Sequence, residues 1–215
     1  MKRWIFSLLV LFLANNVFAD SPLTSTPFWQ AYENDKEVMY AKENGLNDKV
    51  LKSLLSKKTS GDVKIAIINC FGWGSGYTEK FENYLIEKRK GLTKDVFRYL
   101  KMESEDMPAE NDQTKLLTTD DLVCWSYLRA MDNYQTPQYS MRGAFLAYWR
   151  DTTNMAAGIV LCLIAGQQAM MFDWCKIYES AQMFIVNADY KVNILKEDAV
   201  NIILEYLNLY EQDCQ

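Results

Sequence analysis

Side chains able to do chemistry fall in four places along this chain. The stretch IINCFGWGSGY, residues 67 to 77, sets Gly72, Gly74 and Gly76 at every second position. Backbone amides in such a run cradle a phosphate when a strand leads in and a helix leads out. Asp120 and Asp121 are adjacent carboxylates, the residue type that general acid–base catalysis uses. Glu103, Glu105, Asp106, Glu110 and Asp112 form an acidic tract that would attract calcium or a basic partner surface. Five cysteines, Cys70, Cys124, Cys162, Cys175 and Cys214, offer disulfide or thiol chemistry. There is no histidine. That removes Ser-His-Asp and Cys-His catalysis, His-ligated zinc and imidazole proton transfer from the chain.

Each of the four has a plainer structural reading. Asp62 ahead of the glycine run and Gly72 at its start are helix-capping types, and no Lys-Ser/Thr pair follows in phosphate-loop spacing. A nucleophile elbow needs glycine two residues before and two after its serine, where Ser75 has Trp73 and Tyr77. The stretch therefore reads as a helix end, a tight turn and a helix start. Trp73 and Tyr77 then serve as aromatic anchors for a partner, or Trp73 folds back as a lid over the helix pair. Asp120 and Asp121 suit the first turn of a helix, where the dipole favours negative charge. The acidic tract lacks the ligand spacing of an EF-hand and reads as a solvated loop.

Cys70, Cys124 and Cys162 sit inside apolar runs and are expected to be buried as small hydrophobes. Cys175 and Cys214 have polar neighbours. They lie at the start of one predicted helix and the end of the next, so an antiparallel pair would bring them within bridging reach.

The elements that would carry these residues are helices. Thr26-Pro27 starts one that runs to Asn44-Gly45, and Asn47 caps the next, with Val50, Leu51, Leu54 and Leu55 inward. Asp62, Thr78, Thr119, Asn154 and Asp173 mark further starts, with Thr136-Pro137 between them. Residues 92–102 and a last stretch from about Leu195 complete about ten short antiparallel helices. Residues 104–115, with Pro108, form a loop. The apolar run Met155 to Gly166 is too short to span a membrane, which takes roughly 20 residues, and reads as a buried helix. Tyr190 to Leu195 is an isolated strand candidate.

Lys2 and Arg3, the apolar run Trp4 to Leu13 and the small residue Ala19 form the pattern of a secretory signal peptide, residues 1–19. Residues 20–215 would then be one all-helical domain, periplasmic or secreted, in a compartment that permits disulfides. Losing residues 1–19 takes two of the 23 basic residues and none of the 28 acidic ones, moving the net charge from −5 to −7. So acidic a protein lacks the cationic footprint for nucleic acid or anionic membranes.

Asp62-Val63-Lys64, then Ala66, then Cys70-Phe71-Gly72 resembles the second helix of a HEAT-type repeat. Sixty residues on, Val123, Ser126, Ala130 and Met131 echo it, with Cys124 at the basic position and Asp132 at the glycine. The resemblance implies an α–α superhelix, a HEAT-like array in which each helix pair buries its face against the next.

If the helices simply alternate, the loops 72–76, 104–118, 151–153 and 187–194 share one edge. Function concentrates on loops held by a scaffold, so that acidic, aromatic edge is the expected binding surface for another exported protein. Its expected residues are Trp73, Tyr77, Glu105, Asp106, Glu110, Asp112, Asp189 and Tyr190. One concrete form is an immunity or inhibitor protein against a toxin or hydrolase. A carboxylate-dependent glycan-active enzyme and a structural subunit of an envelope assembly are the other classes. No catalytic residue, metal or cofactor is assigned.

Overall fold

Capping side chains decide where five of the described helices begin. In the computed structural model, which describes residues 21–103 and 109–214, Asp35 accepts from the amides of Glu37 and Val38 and starts α1, Lys36–Asn44. The helix expected from Thr26 onward is thereby split. Phe28–Tyr32 forms a separate 3-10 turn before it, because Asp35 offers the backbone a competing cap. Asn47 caps α2, Asp48–Leu55, as its type predicts. α3 spans Gly61–Cys70 and α4 spans Thr78–Lys88. Thr93 caps α5, Lys94–Leu100.

Thr118, not Thr119, caps α6, Thr119–Asp132, through a capping box closed by Asp121. α7, Gln138–Arg150, follows Pro137. Asn154 caps α8, Met155–Ala169. α9, Cys175–Ala181, runs into a π-helical turn, Gln182–Val186. α10, Glu197–Leu207, ends in a 3-10 turn, Asn208–Asp213. The fold is all-α, with ten α-helices and no strand among the described residues. Residues 190–195 make a single bridge, Asn154 to Val192, and Asn193, at φ 51°, interrupts any longer extended run.

α3, α6 and α8 run the same way through the centre. Their starts share an end. The Gly61 amide donates to Asn193 at 2.8 Å, and the Met155 amide donates to the Val192 carbonyl at 3.0 Å, one residue away. Lys64 pairs with Asp120, and Asn69 donates to the Tyr127 hydroxyl at 2.8 Å. α3 and α6, the two segments related by the 60-residue echo, therefore lie side by side in parallel. α8 is buried along almost its whole length, and each of its large apolar side chains contributes about 1.5–3 kcal/mol by leaving water. Trp125, Tyr127, Phe28, Tyr32, Phe81 and Phe97 fill the rest of the core.

Strict up-and-down alternation does not hold, and the expected single edge falls apart with it. Thr93 and Gln113 meet at the start of α5, while Arg142 of α7 reaches the Met102 carbonyl at its end. Met102 and Gln113 thus lie at opposite ends of α5, a crossover that makes α5 and α6 parallel. That crossover shifts every later turn to the opposite end. Loops 110–118, 150–154 and 189–194 lie together, joined by Arg150 to the carbonyls of Leu117 and Thr114 and by Lys191 to the Thr153 carbonyl. Loop 72–76 lies at the other end, against residues 131–134.

Candidate functional site

The glycine run is where a helix end, a turn and a helix start are locked to a neighbouring helix. Gly72, Gly74 and Gly76 have φ of 71°, 69° and 72°. A side chain would strain this left-handed backbone even though open space surrounds each position. Asp132, the last residue of α6, holds the turn. Its carboxylate accepts from Ser75 Oγ at 2.9 Å and the Gly76 amide at 2.7 Å. It also accepts from the Thr78 amide at 2.8 Å and the Thr78 hydroxyl at 2.5 Å. The Gly74 amide donates to the Met131 carbonyl at 2.9 Å. α4 thus takes its N-terminal cap from another helix rather than from its own residues. No sequence rule looks for a cap 54 residues away.

This pinned turn displays Trp73, 55% exposed and edge-on to Tyr134 with ring centroids 5.3 Å apart. Tyr77 does something else. It packs edge-on to Phe71 at 5.0 Å, with its hydroxyl against Gly45. Met171, Phe172 and Trp174 are also exposed at this end, where α8 gives way to α9. Cys175 begins α9 and forms a disulfide with Cys214, which ties this corner to the C-terminal turn. Trp174 stacks edge-on to Tyr210 at 5.8 Å and donates from its indole to the Met170 carbonyl.

Beside the glycine turn lies an open cleft of about 470 Å³ between α4, α5 and the end of α6. Lys94, Lys101 and Arg129 line it, as do Glu79, Glu82 and Asp132. Glu82 is engaged: it pairs with Lys101 at 2.8 Å and accepts from the Trp125 indole at 2.9 Å. Asp132 is occupied by the turn. Arg129 is not engaged in this way. Its Nε is buried, and no hydrogen bond or ion pair to its guanidinium forms among the described residues.

The expected acidic residues sit at the opposite end and are internally paired. Glu110 pairs with Arg150, Asp112 with Lys115 at 3.3 Å, and Asp189 with Lys191 at 3.4 Å. Glu105 and Asp106 lie outside the described residues, as does the expected signal peptide. Tyr190 is turned inward. Its hydroxyl donates to the Phe184 carbonyl and lies against Gly158 so closely that a Cβ there would collide with the ring. Trp73, Tyr77 and the acidic group therefore do not form one surface. A second set of exposed apolar side chains, Trp149, Val186, Val192 and Ile194, stands at the acidic end.

Asp120 and Asp121 are both committed to cations. Lys64, only 2% exposed, pairs with Asp120, and Arg89 clamps Asp121 with bonds of 3.0 and 2.9 Å while Asp121 closes the capping box. Their geometry is that of helix capping and ion pairing. Cys124 and Cys162 are buried free thiols, and Cys70 is partly buried. Burial pushes the Cys70 thiol up from 9.0 to about 12 and raises the other two still further. None is a thiolate nucleophile at neutral pH.

No described helix is long and apolar enough to cross a membrane. Compared with protein families, with curated proteins and with solved structures, the sequence and fold match none.

Proposed function

We propose that this protein is an exported helical scaffold that binds another protein through the end bearing the GWGSGY turn. The observation that carries this reading is the mounting of Trp73. A half-exposed indole, the side chain most enriched in interface hot spots, projects from a turn fixed by five hydrogen bonds to α6. A rigid anchor loses little conformational entropy on binding, which favours tight association. Met171, Phe172 and Trp174 extend the apolar character of the same end. The signal-peptide pattern supports a periplasmic or secreted location. An immunity or inhibitor protein against a toxin or hydrolase is the concrete form of this reading. The parallel stacking of α3 and α6 supports a repeat-like scaffold beneath it.

The test is capture of partners from envelope and secreted fractions with the protein from Asp20 onward, beside Trp73→Ala. The reading expects one dominant protein, lost in the variant while circular dichroism and the unfolding midpoint stay unchanged. Capture that is indifferent to Trp73, or blocked instead by substitutions at Trp149 and Val186, moves the interface to the other end.

A further inference from the structure

The cleft beside Trp73 sets three cations, Lys94, Lys101 and Arg129, against three carboxylates, Glu79, Glu82 and Asp132, but they do not pair one to one. Asp132 is saturated by the turn, and Glu82 is shared between Lys101 and Trp125. That leaves Arg129 and Lys94 with no side-chain partner among the described residues, against Glu79 alone. Arg129 lines the cleft with its Nε buried, so it is the Nη end of the guanidinium that a ligand oxygen could reach. Its planar fork is completed best by a bidentate oxyanion. Three carboxylates line the same cleft, and their combined field disfavours a doubly charged phosphate more than a singly charged group.

We propose that the cleft is a carboxylate-binding subsite in which Arg129 pairs with one carboxylate of the bound partner, with Lys94 adding positive charge at the mouth. This rests on the protein-binding reading above and gives that interface its charged contact next to the apolar anchor. The carboxylate comes from an acidic side chain, from a polypeptide C-terminus, or from a small free monocarboxylate, and one titration separates the three.

The experiment follows the Arg129 Nε–H resonance in the nitrogen-15 spectrum of the protein from Asp20 onward, assigned by its loss in Arg129→Gln. The probes are a capped glycyl-glutamyl-glycine amide, its glutaminyl counterpart, acetyl-triglycine with a free carboxylate, acetate, inorganic phosphate and sodium chloride. The expected result is a saturable shift at millimolar concentration with one or more of the three carboxylates and none with the glutaminyl peptide. The strongest carboxylate identifies the source. Glu79→Gln should tighten it by roughly two- to fivefold, the size of an exposed charge effect. Arg129→Lys, which keeps the charge and loses the fork, should weaken it about tenfold.

Four results overturn the proposal: no saturable shift with any carboxylate, an equal shift with the glutaminyl peptide, a response matched by chloride, or stronger binding of phosphate. No partner is needed for this titration. A failed Trp73-dependent capture with an intact titration would remove the protein-binding reading alone, and the reverse would remove only the subsite.

Discussion

Asp132 and Thr78 are joined twice, through the Thr78 amide at 2.8 Å and its hydroxyl at 2.5 Å, so the end of α6 is also the start of α4. Asp132→Ala strips acceptors from two amides and two hydroxyls at once. It should cost about 2–3 kcal/mol, the upper range for a lost cap. Urea unfolding measures this. Asp132→Asn keeps the size and part of the acceptor capacity and should fall between the two. A variant as stable as the parent would mean that the turn stands without this anchor.

The pair of Lys64 with Asp120 joins a buried ammonium to a carboxylate that is one-third exposed. Removing only the acid leaves the cation buried and alone. Asp120→Asn should therefore destabilise by about 2–3 kcal/mol, below the full figure for a wholly buried pair because water screens the acid. Lys64→Met combined with Asp120→Asn should recover most of that loss, since the methionine fills the same space without a charge. Equal losses in the single and double variants would show that desolvation of Lys64 is not the cause.

The Cys175–Cys214 bridge spans 39 residues of sequence. Closing a loop of that length stabilises by about 4 kcal/mol on a chain-entropy basis. Replacing both cysteines with serine should lower the unfolding midpoint accordingly, and a reductant should do the same to the parent and nothing further to the variant. Trp174 lies next to this bridge, so the exposed apolar corner should gain faster amide exchange when it is opened.

Alkaline pH should weaken the fold through its buried acids. Burial raises the thiol of Cys70 from 9.0 to about 12 and raises Cys124, Cys162 and the Tyr127 phenol in the same direction. These groups hold their protons more tightly folded than unfolded. Their stabilisation is complete below the unfolded thiol value of 9.0 and is lost as pH rises toward about 12. Each contributes a loss of up to about 1.4 kcal/mol per pH unit in that window. Urea midpoints should be level through neutral pH and fall above it. A profile that stays level to about 12 would mean that these groups titrate exposed.

Much of the fold is legible in the sequence because helix starts are local. Asn47 and Asn154 name their helices from a single residue type, and the alternation of apolar residues with caps gives the count. The buried thiols and the bridge are legible from neighbours alone. What escapes the sequence depends on contacts between distant segments. Asp62 is a cap by type, yet Ser60 takes the cap position and Asp62 accepts instead from Tyr32. Thr78 is a capping type at the start of its own helix, yet Asp132 supplies the cap. The acidic tract gives no sign that Met102 and Gln113 lie at opposite ends of α5 rather than side by side. That one crossover separates Trp73 from Glu110, Asp112 and Asp189. Arg129 carries no signal at all, because an unpaired cation is visible only once its surroundings are known.

The turn at Phe28–Tyr32 packs against the last helix, with Lys196 donating to the Tyr32 hydroxyl at 3.2 Å and to the Ala31 carbonyl at 3.0 Å. These contacts bridge 164 and 165 residues of sequence. In a protein emerging from the ribosome N-terminus first, Tyr32 can meet Asp62 and Phe28 can meet Tyr127 early, but the contacts of this turn with the last helix wait until Lys196 and α10 have been made. Such nonlocal closure slows folding. It leaves the N-terminal turn open on one side until the last helix has been made.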